Sequence, residues 1–365
     1  MDVRFSEVFP RGAQVLVLPI NIFDEDGGMS ECVRTWTELH LRDGRNALVI
    51  GRLDPRLAWA NRRVALWFFS ILAQVAGFKA AGLLMRSRIR RLLDSFPAVD
   101  VIQVVAHTLC SDSTAWSLLQ CSTTARVVNT IHDPVPHLER RRFGKETVYR
   151  RVLVNSWKLA TAHSRFFIHI HNAALLKGVS YPPEAKIIFY EIPIPPRRAS
   201  RKRNDTLIWV GFMGRIEQYK GLDTYLEALR LIKKDRGDLA PSIKVLIAGL
   251  GDFDAAAFRD LGFETLIDNR YLSDDEFHQY MANLDLLVLP YIEATQSLVA
   301  AMGIAYGIRV IASEVGGIPY LVAPYERGTL LPPKDPRALA AAIVSQAEAV
   351  LRQDVTQAPG RPFRK

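Results

Sequence analysis

Cysteine is scarce in this chain: there are three, Cys32, Cys110 and Cys121, at spacings that fit no metal-ligand template. An odd number of widely spaced thiols argues against a disulfide framework and predicts a reducing, cytoplasmic setting. The first residues, MDVRFSEVFPRG, lack an apolar core of signal-peptide length, so secretion is not expected. A long apolar run is also missing. The nearest approach is Val64–Phe78, where Ser70 and Gln74 interrupt the run and Lys79 ends it. It is too short and too polar for a spanning helix. Arg62 and Arg63 precede it, and Arg86, Arg88, Arg90 and Arg91 follow it. Two readings stay open for this segment: a buried helix with basic ends, or a helix in the lipid interface with guanidinium groups at anionic headgroups. The loop after the first predicted strand, LPINIFDEDGG, lacks G-x-G-x-x-G, which counts against a dinucleotide oxidoreductase. There is no recognised nucleic-acid motif and no interleaving of aromatic and basic residues, so no nucleic-acid partner is expected.

What is present points to two halves. A length of 365 residues exceeds one ordinary core. The net charge of +9 is uneven: residues 1–198 carry 27 basic and 17 acidic side chains, and residues 199–365 carry 20 and 21. A basic first half predicts contact with an anionic surface, with a solvated basic face as the plainer reading.

Apolar runs and turn signals alternate along both halves. Predicted strands are Gln14–Pro19, Ala47–Ile50, Asp100–Val105, Ala125–Ile131, Phe166–His169 and Lys186–Tyr190, with helices at Met29–Leu41 (Ser30 as N-cap) and Ser113–Gln120. The proline- and arginine-rich stretch 194–205 reads as a linker. The alternation then restarts. Strands are predicted at Leu207–Val210, Lys244–Ala248, Leu286–Leu289 and Arg309–Ala312, and helices at Leu222–Ile232, Asp274–Ala282, Ser297–Ala305 and Pro336–Val350. This is an α/β chain of two doubly wound parallel sheets. The expected domains are 1–198 and 199–350, with a tail at 351–365.

Two stretches carry the chemistry. In VGFMGRIEQYKG, Gly211 and Gly214 are expected in a turn beyond a strand, with Arg215 and Lys220 beside them. Glycines admit a ligand close to the backbone, and two cations suit a diphosphate without a metal. The plainer reading is two solvated cations in a loop. In YIEATQS, Glu293 follows a strand end, and Thr295, Gln296 and Ser297 open a helix whose free N–H groups suit phosphate. Glu293 suits sugar hydroxyls, while Ser297 reads equally as a simple N-cap. Gly316 and Gly317 form a further turn at the same sheet edge. In the first half, Gly27 and Gly28 follow the first strand, as a tight turn or as a close approach for a phosphate or sugar. His107 and His132 each end a predicted strand, with Asp133 adjoining the second. Such strand ends converge on one crevice. A neutral imidazole there suits a sugar hydroxyl.

These residues resemble the retaining nucleotide-sugar glycosyltransferases of GT-B architecture, two Rossmann-like domains facing a cleft. The resemblance covers most of the chain and is strongest over 207–336. It rests on Met213-Gly214-Arg215 with Lys220-Gly221, on Gly27-Gly28, on His107 and His132, on the GLGD turn from Gly249 to Asp252, and on VGGIP. It implies that Arg215 and Lys220 hold the donor diphosphate and that Glu293 is the first acid of an E-x7-E signature. Gly28, Gly214, Gly249, Thr295 and Ser297 would line the donor site. His132 would contact the transferred sugar, with His107 and Asp133 on the sugar or acceptor side. The implied reaction is hexosyl transfer from a UDP- or GDP-type donor to a lipid-linked or glycan acceptor, with retention and without metal or other cofactor, at the inner membrane face. Two departures stand out. The second acid of the signature falls on Ala301 or Ala300, and Tyr320 stands where the turn after VGGIP usually ends in an acid. The missing acid keeps a non-catalytic sugar-nucleotide- or partner-binding relative open, and a nucleotide-sugar epimerase is a rival in the same architecture.

Overall fold

Short runs of Val, Ile, Leu and Phe build every central strand, and both faces of those strands are covered, as parallel pairing requires. The computed structural model describes residues 4–20, 27–49, 72, 76–96, 98–106, 111–121, 124–131, 145–176, 179–191, 194 and 207–357. The chain forms two compact units, Met1–Pro193 and Ile194–Lys365.

The N-terminal unit contains helices α1 (Phe5–Val8), α2 (Gly27–Arg42), α3 (Phe78–Asp94), α4 (Ser111–Cys121) and α5 (Lys145–Ala162). Its strands are β1 (Gln14–Ile20), β2 (Asn46–Val49), β3 (Val101–Ala106), β4 (Arg126–Ile131), β5 (Phe166–Ile170) and β6 (Ile187–Phe189). They pair in parallel in the order β2-β1-β3-β4-β5-β6. One face is apolar: Leu16, Ile102, Val127 and Ile168 pack with Met85 and Ile89 of α3, Leu118 of α4 and Trp157 of α5. Strand alternation puts Gln103, Thr130 and His169 on the other face. There a buried chain of hydrogen bonds crosses the sheet. His40 Nε2 lies 2.7 Å from Gln103 Oε1, Gln103 donates to Thr130 Oγ1 at 3.3 Å, and His169 sits 3.3 Å from that hydroxyl and 2.8 Å from the Tyr190 carbonyl. Trp36 of α2 meets His169 edge-on at 4.8 Å.

The C-terminal unit has strands β7 (Ile208–Met213), β8 (Ile243–Ala248), β9 (Glu264–Asp268), β10 (Leu286–Leu289), β11 (Arg309–Ser313) and β12 (Gly328–Leu331), all parallel, in the order β12-β11-β10-β7-β8-β9. Its helices are α6 (Leu222–Asp235), α7 (Ala255–Arg259), α8 (Asp274–Asn283), α9 (Leu298–Ala305), α10 (Ile318–Val322) and α11 (Pro336–Gln357). Helix α8 begins with a full capping box, Ser273 Oγ accepting Glu276 N–H at 3.3 Å and Glu276 accepting Ser273 N–H at 2.9 Å.

Several boundaries depart from expectation. Gly211 belongs to β7 rather than to the turn, pairing with Leu246, and a side chain there would collide with Leu284. Helix α2 starts at Gly27, so Ser30 lies inside it rather than capping it, and Gly28 is in its first turn. Helix α11 runs on to Gln357. Strands β9 and β12 and helices α1, α3, α5, α7 and α10 have no counterpart among the elements expected from the sequence. Val64–Phe78 lies almost wholly outside the described residues. Among the described residues, no helix is long and apolar enough to cross a membrane. Cys121 is a free thiol, donating to the Arg86 carbonyl at 3.4 Å.

Candidate donor site at the β7–β10 switch point

The C-terminal chain lays down β7, steps outward to β8 and β9, then returns to place β10 on the other side of β7. The order reverses between β7 and β10, and ligands of open α/β sheets bind beyond the carboxyl ends of such a strand pair. Both predicted stretches fall at this point.

Four loops are locked together there by contacts that only glycine allows. Gly214 ends β7 with φ +100° and donates to Ala248 O at 2.9 Å. Gly249, with φ +143°, lies so close that a side chain on it would strike the Gly214 carbonyl. Gly221, with φ +67°, presses on the carbonyl of Pro290. Beside it, Ile292 and Glu293 donate to Tyr219 O at 2.7 and 3.4 Å. The loop after β11 closes the set: Gly316 abuts the Ala294 carbonyl, and Gly317 donates to Thr295 O at 2.9 Å. Left-handed backbone and absent Cβ atoms are what make this approach possible.

The two cations differ. Lys220 is half-buried, and its Nζ lies 5.1 Å from the centre of the Tyr291 ring and about 3.5 Å from where a Gly214 Cβ would stand. Among the described residues no carboxylate lies within 4.0 Å of it. Arg215 is 51% exposed and paired with Glu217 at 3.4 Å. The structure therefore gathers Gly214, Lys220, Gly249, Glu293 and Thr295 at one edge, while Arg215 is held to Glu217. Ser297 is 4% exposed, and its hydroxyl accepts Ala300 N–H at 3.1 Å as the cap of α9. Ala300 and Ala301 are fully buried, so the helix face that would carry a second acid is packed into the core. Tyr320 is exposed on α10. His107, His132 and Asp133 lie outside the described residues. Among the described residues, no cluster of His, Cys, Asp and Glu is placed to hold a metal ion. Tyr291 was not singled out from the sequence, although an aromatic residue between a strand end and Glu293 was there to be noticed.

Residues 208–348 match the family described as Glycosyl transferases group 1. The amylovoran biosynthesis glycosyltransferase AmsK of Erwinia amylovora is 30% identical over 184 residues, 46% of this chain and 44% of that protein. A D-inositol 3-phosphate glycosyltransferase of Paenarthrobacter aurescens is 27% identical over 124 residues, 33% of this chain and 30% of that one. The chain thus spans less than half the length of these curated relatives. Among solved structures, sucrose-phosphate synthase from Thermosynechococcus elongatus superposes with a TM-score of 0.61 at 18% identity, over 93% of this chain and 90% of that chain. The Anabaena protein HepE, solved with UDP-glucose, gives 0.58 at 17% identity over 93% and 91%. The chain therefore has the GT-B fold, and its C-terminal unit matches the group 1 glycosyltransferase family.

Proposed function

We propose that this protein transfers a hexosyl group from a nucleoside-diphosphate donor to an acceptor hydroxyl, with retention and without a metal. The observation that carries this reading is Lys220, an ammonium half-buried at the switch point with no carboxylate beside it among the described residues. As the glycosidic bond breaks, negative charge develops on the diphosphate, and a preplaced cation lowers that barrier more than one recruited from solvent. Arg215 serves as the second cation, exchanging Glu217 for phosphate when donor arrives. Glu293 accepts from sugar hydroxyls. His132 contacts the transferred sugar, and His107 and Asp133 belong to the acceptor side on the first unit. The UDP-glucose bound to HepE supports a UDP-type donor. The amylovoran pathway named for AmsK supports a glycan or lipid-linked acceptor. Helix α3 exposes Leu83 and Leu84 together with Lys79, Arg86, Arg88, Arg90 and Arg91, which suits peripheral contact with anionic lipid at the inner membrane face.

The test is Lys220→Ala, assayed by nucleoside-diphosphate release from UDP- and GDP-sugars with an acceptor panel. Loss of one preplaced cation predicts a fall in turnover of about 100-fold or more, with unchanged melting. Normal turnover would remove the diphosphate role. A non-catalytic sugar-nucleotide-binding protein is the second reading, motivated by the buried alanines at the second acid position. Donor binding with neither transfer nor hydrolysis would favour it.

A further inference from the structure

Tyr291 stands one residue beyond Pro290 at the end of β10 and is 2% exposed. Its hydroxyl is buried and has no hydrogen-bond partner among the described residues. A buried tyrosine ordinarily pairs that group, so something other than the hydroxyl accounts for an aromatic residue here. The ring has a clear partner: Lys220 Nζ lies over it at 5.1 Å from the centroid, inside the range of a cation–π contact. The ammonium also lies about 3.5 Å from where a Gly214 Cβ would stand. The backbones are joined as well, through Ile292 N–H to Tyr219 O at 2.7 Å and through Gly221 against Pro290.

We propose that Tyr291 is a positioning residue whose ring face holds the Lys220 ammonium where a diphosphate meets it; this rests on the donor reading above. The physical point is the kind of partner. A carboxylate would fix a lysine equally well but would offset part of its attraction for an incoming anion; Arg215 has such a partner in Glu217 at 3.4 Å. A ring quadrupole holds the ammonium and leaves its full unit of charge for the ligand. Lys220 is thereby preorganised without being neutralised, and only the ring is needed.

The experiment titrates UDP and GDP into the full-length protein by calorimetry. The variants are Tyr291→Phe, Tyr291→Leu and position 291 carrying 3,4,5-trifluorophenylalanine. Phenylalanine keeps the ring and removes only the unpaired hydroxyl, so affinity within about 2-fold of wild type and unchanged melting are expected. Fluorination drains the ring face at nearly constant size, so affinity should drop about 5-fold from the Phe variant, and the Leu variant should lose about 10-fold or more. A merely structural ring would not respond to fluorination. A flat series from Phe to trifluorophenylalanine, with wild type binding normally, would overturn the Tyr291 role alone. Failure of both nucleotides to bind wild type would overturn the donor reading and this role with it.

Discussion

The interior of the N-terminal unit holds His40, Arg45, Gln103, Asp112, Asn129, Thr130, His169 and His171, whereas the described C-terminal interior holds only Ser297 and Ser313 as buried polar side chains. The two sheets share strand number and parallel pairing, so the difference lies in what each unit carries inside. The C-terminal unit is an apolar scaffold with its chemistry in loops locked by glycine. The N-terminal unit carries titratable groups within the fold, and its stability must respond to pH where that of its neighbour does not.

That contrast can be broken at its strongest point first. Beyond the Lys220→Ala assay, Gly221→Ala forces a left-handed residue against the Pro290 carbonyl. It should lower the stability of the C-terminal unit by about 3 kcal/mol and weaken UDP binding, leaving amide exchange in β3 and β4 unchanged. Unchanged melting would mean that the loop junction is dispensable.

The second prediction concerns pH. Burial pushes His40 down from 6.5 to about 4, with Arg45 adding to the fall and Gln103 and Asp43 opposing it. The folded state therefore prefers the neutral ring. Its contribution is complete above pH 6.5 and is lost as pH falls toward 4, up to about 3 kcal/mol in all. Asp112 runs the other way, its carboxyl pushed up by burial despite the hydrogen bond from Asn155. It contributes most when protonated and loses that contribution as pH rises past its ordinary value. His40→Gln separates the two: protection of β3 and β4 amides should fall between pH 7 and pH 4.5 in wild type and vary much less in the variant. In the C-terminal unit, Arg270 and Ser273 hold Glu276 down at about 2. Its contribution is present above pH 4.5 and is lost only as pH falls toward 2, so protection of β7 and β8 should stay level over the range in which His40 titrates.

The smallest effect sharpens the comparison. Ser273→Ala removes one half of the α8 capping box and should lower C-terminal stability by about 1 kcal/mol, read as a small shift in that unit's melting with none in the other.

Strands with dense apolar runs, such as DVIQVV and LLVLP, were legible because burial on both faces leaves no room for polar residues. Edge elements were not. β9 (Glu264–Asp268) and β12 (Gly328–Leu331) flank their sheet and are only partly buried, so ETLID and GTLL carry a diluted pattern. Helix α3 hid its buried stripe, Met85, Ile89 and Leu92, among arginines. In the candidate site, Gly214, Lys220 and Glu293 were legible because each sits in a short motif with its own local chemistry. The ring under Lys220 was not, since it depends on where two side chains turn once the loops have met.

The residue order alone determined that two α/β halves would form and that cations, glycines and an acid would follow strand ends, because periodicity, turn residues and motif spacing are local properties of a chain. Only the tertiary structure decided that Lys220 would lie over an aromatic ring. Lys220 and Tyr291 are remote in the chain and become neighbours when β10 pairs beside β7. An electrostatic field depends on distances in space, and those exist only after the sheet has assembled.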